Sequence, residues 1–311
     1  MRLEGNVGLR SSQQAIVFVL AIAIVGLSAC ASNPSKPRGN DLADRLDCLR
    51  DGQLALVAAH RGQPDQTAAE NAMSSFRASL AAGVPFLEID VATTRDGRLV
   101  LMHDDTMDRT TTGSGRVDTR IFAEVQKARL KRGDGTVLEE GVPTFAQVLE
   151  WGRGANAYFE VDVKPTTTFS DIVTAVQAAR MADRVVIVTY KLADAVTVHR
   201  LDPRLMISVT LDTPEALVAA RKVIDPHRML GWTGTRDPQK QPFAALRAAG
   251  IEPIFGTLGR PGERLDDVYL ADGNGSEYVD LVRAGAVMIA SDAAVKAQAA
   301  IGTGWRACFS R

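Results

Sequence analysis

The sequence contains no cluster of lysines and arginines interleaved with aromatics, and its formal net charge is −1. A basic nucleic-acid-binding face is therefore excluded as the default, and no nucleic-acid partner is expected. Cysteine is scarce, with 3 residues in the chain. The apolar run from Ala15 to Leu27 stops short of the roughly 20 residues that a membrane-spanning helix needs. What remains is ordinary for a folded protein: 311 residues, 46% hydrophobic and 23% charged, enough for one large domain or two small ones.

Arg2 and Arg10 precede that apolar run, AIVFVLAIAIVGL, which ends in LSAC at residues 27 to 30. This is the layout of a secretory signal peptide, and LSAC resembles the lipobox of bacterial lipoproteins. The resemblance implies a signal peptide over residues 1–29, lipid on Cys30, and an exported, membrane-anchored chain facing the periplasm or the cell exterior. Residues 30–50, which begin small, polar and proline-bearing, read as a tether. Beyond Cys30 there are two cysteines, Cys48 and Cys308, one near each end of the remaining chain. In an oxidising compartment they can pair, or they can stay as two free thiols.

From residue 51 the pattern becomes regular. Eight short apolar runs recur at residues 54–59, 85–91, 157–163, 184–189, 205–210, 228–232, 252–256 and 286–290. Between them lie amphipathic segments with apolar residues three or four apart, often ending in Gly, which read as helices. The alternation predicts a (β/α)8 barrel over residues 51–311, with an open doubly wound sheet as its competitor. Residues 104–143, rich in Thr, Gly and charge, interrupt the alternation and read as a small insertion at the carboxyl-end mouth.

The early strands carry polar residues where apolar ones are expected. His60 and Arg61 end the first. Glu88 and Asp90 lie within FLEIDV, two apart and therefore on one face. His103 follows an extra short strand, and Glu160, Asp162 and Lys164 share a face of FEVDVK. Each has a structural reading, such as a satisfied core histidine or an internal layer of ion pairs. Taken together they point to chemistry, because buried like charges need a cation, hydrogen bonds or a function to hold them. Carboxylate oxygens without thiolates suit a hard divalent ion, Mg2+ or Ca2+, better than zinc. Arg and Lys beside it form a phosphate clamp, and two histidines can exchange roles as general acid and base. Metal-assisted phosphodiester cleavage is the reaction class this set suggests.

HRG at 60–62, Glu70-Asn71, LEIDVATTRDGRLVLMHDDTMDRTTTGSG at 87–115, VPTFAQVL at 142–149 and DVKP at 162–165 resemble the glycerophosphodiester phosphodiesterase family. The resemblance covers about residues 54–300. It implies a TIM barrel that hydrolyses glycerophosphodiesters to sn-glycerol 3-phosphate and an alcohol. It further implies that His60 and His103 are the acid–base pair and that Arg61 and Lys164 bind phosphate. Glu88 and Asp90 become the first two metal ligands, with Glu70 and Asn71 supporting them from behind. The third ligand, usually Glu, is here Asp162, with Glu160 in reserve. The family's late Trp-Thr-x-Asn segment is expected to be absent, and its closing segment reads SDAA at 291–294. Two alternatives stand beside this reading: a phospholipase acting on phospholipids or lysophospholipids, and a non-catalytic phosphate-binding surface lipoprotein.

Overall fold

The computed structural model describes Gly39 and residues 41–310. The signal peptide, the lipobox with Cys30 and the first part of the tether lie outside the described residues.

Strand β1 (Leu56–Ala59) is followed by helix α2 (Met73–Ala81), strand β2 (Phe86–Thr93) and the short strand β3 (Leu99–Leu101). The insertion then holds helix α3 (Phe122–Val125) and a hairpin of β4 (Arg129–Lys131) and β5 (Val137–Gly141). Strand and helix alternate from there: α4 (Phe145–Ala155), β6 (Tyr158–Val163), α5 (Phe169–Ala179), β7 (Val185–Thr189), α6 (Leu192–Leu201), β8 (Met206–Thr210) and α7 (Pro214–Ala220). The series closes with β9 (Met229–Trp232), α8 (Phe243–Ala248), β10 (Glu252–Gly256), α9 (Leu265–Tyr269), α10 (Ser276–Ala284), β11 (Met288–Ser291), α11 (Ala294–Ile301) and α12 (Arg306–Phe309).

The sheet runs β1-β11-β10-β9-β8-β7-β6-β2, with β1 also paired to β2 and β3 appended antiparallel to β2. Because β1 pairs with both β2 and β11, all in parallel, the sheet is closed and the open doubly wound alternative falls. Alternation along each strand sorts the side chains. Leu87, Ile89 and Val91 of β2 point out and pack under the helices. Phe86, from the inward set, lies with Tyr158, Val186, Leu230 and Ile254 in an apolar layer filling the amino end of the barrel.

One part of the tether reading is corrected. Leu42–Asp51 is not a linker but the first helix, α1, with Asp41 as N-cap accepting from the Ala43 N–H at 2.6 Å. Leu42, Leu46 and Leu49 are one helical face and are buried against the apolar layer at the amino end. In the structure Cys48 of α1 and Cys308 of α12 form a disulfide, their Cα atoms 5.7 Å apart.

Candidate active site

Across β2 and β6 the register places Glu88 beside Glu160 and Asp90 beside Asp162. One strand-pair therefore brings four carboxylates to the inner face near its carboxyl end. Among the described residues Glu88, Asp90 and Asp162 form a set whose ligand oxygens all lie within 4.8 Å of one another. Glu160 is not in that set. It sits one strand period deeper, and burial and the nearby Asp162 charge push its carboxyl up to about 7.

Each member of the triad has a different neighbourhood. Glu88 accepts the Arg61 backbone N–H at 2.7 Å; burial first, then Asp90 and Asp162, drives its pKa up. Asp90 accepts from Asn71 Nδ2 at 2.7 Å, its own N–H donates to Asn71 Oδ1 at 3.0 Å, and Lys164 Nζ is 2.6 Å away. Burial opposes ionisation there, but Lys164, His103 and the Asn71 hydrogen bond together outweigh it and lower the Asp90 pKa. Asp162 Oδ2 accepts from Lys164 at 2.9 Å and from the Tyr190 hydroxyl at 3.0 Å. Its Oδ1 is buried with no hydrogen-bond partner. An orphaned carboxylate oxygen amid three clustered carboxylates, with oxygen donors only, fits a hard divalent cation.

Both histidines are held the same way. His60 Nδ1 lies 2.7 Å from Asp292 Oδ1, and His103 Nδ1 lies 2.7 Å from Asp104 Oδ1. An ionised carboxylate only accepts, so each Nδ1 carries the hydrogen and each Nε2 is left to give or take a proton. Burial raises the Asp292 carboxyl, but the His60 hydrogen bond, the Gly259 N–H and the Arg264 charge outweigh it and hold it at about 2. Asp104 is held well below the usual carboxylate range, chiefly by hydrogen bonds from Arg109. Arg109 also makes a two-pronged contact with Glu70, at 2.6 and 2.8 Å, and Arg61 Nη1 donates to the same carboxylate at 2.9 Å.

His60, His103, Glu88, Asp90, Asp162 and Lys164 all line one cavity of 230 Å3 at the carboxyl end of the barrel. Arg61, expected to bind phosphate with Lys164, lines the adjoining cleft that shares His60 with this cavity; its Nε is buried without a hydrogen-bond partner, 3.9 Å from Asp90 Oδ2. The HRG turn explains this direction. Arg61 has φ 53° and Gly62 φ 67°, and a Cβ on Gly62 would sit 2.1 Å from the Phe76 ring. The backbone thus reverses sharply after His60, so that His60 borders both spaces while Arg61 borders the cleft.

Four residues at the site escape the sequence reading. Asp292 belongs to SDAA, the segment that looks like a departure, and it is the partner of His60. Arg109, in the insertion, braces Asp104. Tyr190 follows β7 and donates its hydroxyl to Asp162 Oδ2. The Trp-Thr pair expected to be missing does occur, one strand earlier than sought, as Trp232-Thr233 at the end of β9, with Thr235 where Asn was expected; Trp232 lines the cavity.

A closed parallel barrel with oriented acid–base groups at its carboxyl-end mouth defines the TIM-barrel class. Residues 60–283 match the model of the glycerophosphoryl diester phosphodiesterase family. The chain belongs to that family. It is 29% identical over 161 residues to a glycerophosphodiester phosphodiesterase of Caldanaerobacter subterraneus, a match covering 50% of this chain and 65% of the relative. A second, from Bacillus subtilis, is 26% identical over 63% of this chain and 70% of its own length. The chain thus spans less than two thirds of the length of the first of these relatives. Among solved structures, a glycerophosphoryl diester phosphodiesterase from Parabacteroides distasonis superposes with a TM-score of 0.71 at 25% identity, covering 82% of this chain and 91% of the other. An Oleispira antarctica phosphodiesterase, solved with the product sn-glycerol-3-phosphate, shares the fold with a TM-score of 0.62 at 20% identity, covering 81% and 98%.

Proposed function

We propose that the protein hydrolyses glycerophosphodiesters to sn-glycerol 3-phosphate and an alcohol, using His60 and His103 as the acid–base pair. The observation that carries this reading is the convergence of both carboxylate-oriented histidines, the acidic triad and Lys164 on one cavity. Family membership and the product bound in the Oleispira relative support it.

Glu88, Asp90 and Asp162 would hold a divalent ion, Mg2+ or Ca2+. Such an ion supplies charge neutralisation at the phosphate and activation of an oxygen nucleophile. The rest falls to the chain's own groups. Lys164, kept protonated by Asp90 and Asp162 against the opposing effect of burial, adds positive charge beside the phosphate. One histidine Nε2 accepts the proton of the attacking hydroxyl as the new P–O bond forms. The other donates a proton to the departing alkoxide as the old P–O bond breaks. Asp292 and Asp104 keep both rings in the required tautomer.

The same reading places the chain outside the cytoplasm as a lipid-anchored protein. The Cys48–Cys308 disulfide, of a kind that persists in oxidising compartments, supports export. Among the described residues no helix is long and apolar enough to cross a membrane, so an anchor rests on the LSAC segment.

The deciding experiment assays a panel of glycerophosphodiesters with EDTA, Mg2+ or Ca2+. Release of glycerol 3-phosphate only when an ion is supplied is the expected result. Turnover that is indifferent to chelation removes the ion from the reading, and no turnover of any diester with either ion removes the activity.

A further inference from the structure

Beside the 230 Å3 cavity, and sharing His60 with it, lies a second cleft of 340 Å3. Its walls come from the insertion on one side, through Arg109, Lys131 and Arg132, and from the loop after β10 on the other, through Arg260. Asp292, the partner of His60, also lines it.

The charges in this cleft do not cancel. Both carboxylates lining it are engaged: Glu70 by Arg61 and Arg109, and Asp292 by His60, the Gly259 N–H and Arg264. Three lining cations, Lys131, Arg132 and Arg260, make no ion pair with any carboxylate among the described residues. Lys131 is held in place by donating to the Asp108 carbonyl at 2.7 Å, a contact that leaves its charge uncompensated. Asp134, in the same hairpin turn as Arg132, accepts the Thr136 N–H at 2.9 Å; it feels the Arg132 charge from a distance but forms no ion pair with it. On a chain of net charge −1, a cleft with three cations that form no ion pair, on the β4–β5 hairpin and the facing loop after β10, is an anion site.

Resting on the proposed diesterase activity, we infer that this cleft receives the alcohol portion of the substrate, and that it selects alcohols carrying a second anionic group, a phosphate or a carboxylate. A diester whose phosphate lies at the triad has His60 between its two halves, because His60 lines both spaces. The larger, cationic space then falls on the far side of the acid–base group.

The test compares glycerophosphoglycerol with the same diester bearing a terminal phosphate, using the whole protein with its divalent ion. The wild type is expected to favour the phosphorylated alcohol at least about tenfold in kcat/KM, the scale of one or two charge-assisted hydrogen bonds. Arg132→Gln with Arg260→Gln is expected to reduce that ratio about tenfold. Both side chains are exposed, so folding is checked simply by the melting temperature. Arg221→Gln with Lys222→Gln removes the same charge from the exposed segment after α7 and is expected to leave the ratio intact. A wild type without preference, a preference that survives in the cleft variant, or an equal loss in the control variant overturns the inference. If the wild type cleaves neither diester, the diesterase reading has failed on its own account, and calorimetric titration with inorganic phosphate decides the cleft. An affinity about tenfold weaker in the cleft variant upholds the anion site, and an unchanged affinity overturns it.

Discussion

The two ends of the barrel each bury carboxylates, and they do so to different ends. At the amino end Arg50 of α1 bridges Asp47 and the buried Glu252 of β10, while Arg247 donates to the Arg50 carbonyl. At the carboxyl end Lys164 bridges Asp90 and Asp162. Each end even leaves one buried carboxylate oxygen without a hydrogen-bond partner, Glu252 Oε2 below and Asp162 Oδ1 above. Burial raises Glu252 and Glu88 alike. A buried, perturbed carboxylate therefore does not by itself mark a catalytic site. The ends differ in access and in company. The lower cluster is covered by α1, and its one histidine contact, His227 Nδ1 at 3.0 Å from Asp47 Oδ2, comes from the turn before β9 and opens on no cavity shared with a second histidine among the described residues. The upper one opens on a cavity lined by two histidines with fixed tautomers.

The sharpest way to break this comparison is to remove the histidines. His60→Ala or His103→Ala is expected to lower kcat by roughly 10²-fold or more, with the melting temperature little changed. If both variants keep near-normal turnover, the upper end is no more catalytic than the lower. Removing the lower cation tests the converse. Arg50→Met leaves Glu252 buried without its paired cation, and Asp47 keeps only His227; the change should cost about 3–5 kcal/mol in urea unfolding, while kcat of the folded protein stays near wild type. A kcat loss comparable to the histidine variants would join the two ends functionally.

A third test is a pH dependence. Glu160 rises in the folded state from its ordinary 4.5 to about 7, so the folded protein holds a proton that the unfolded chain releases. Its contribution to stability is complete below 4.5 and is lost as pH rises through 7, a swing of roughly 3 kcal/mol. Glu160→Gln should flatten that decline in EDTA-treated protein between pH 5 and pH 8. An undiminished slope would show that other groups carry it.

The strands and the early site residues are legible because their signal is local. Alternation within FLEIDV and FEVDVK puts acids on the inner face, and the same residues meet in register across β2 and β6. The helix α1 also carries a local signal, since Leu42, Leu46 and Leu49 fall on one face, but the preceding small and polar residues mask it. Asp292 had no local signal. Its meaning lies in a contact with His60, 232 residues away in sequence, that exists only once β1 and β11 close the barrel. Trp232 is hidden for the same reason, because it ends a strand that reads as plain core until closure faces it across the barrel, whereas Tyr190 follows β7, the direct neighbour of β6, and gains its meaning only when that pairing brings it to Asp162.

The Cys48–Cys308 disulfide has a mechanical consequence. A pull on the chain near residue 41 reaches Cys48 before it reaches β1, and there the load divides between β1 and α12. For a protein leashed by its amino end, the first barrel strand is then not the sole bearer of tension. Under the proposed amino-terminal anchor, drag would be shared between both chain ends, and β1, which carries His60 at its tip, would be shielded from being peeled away.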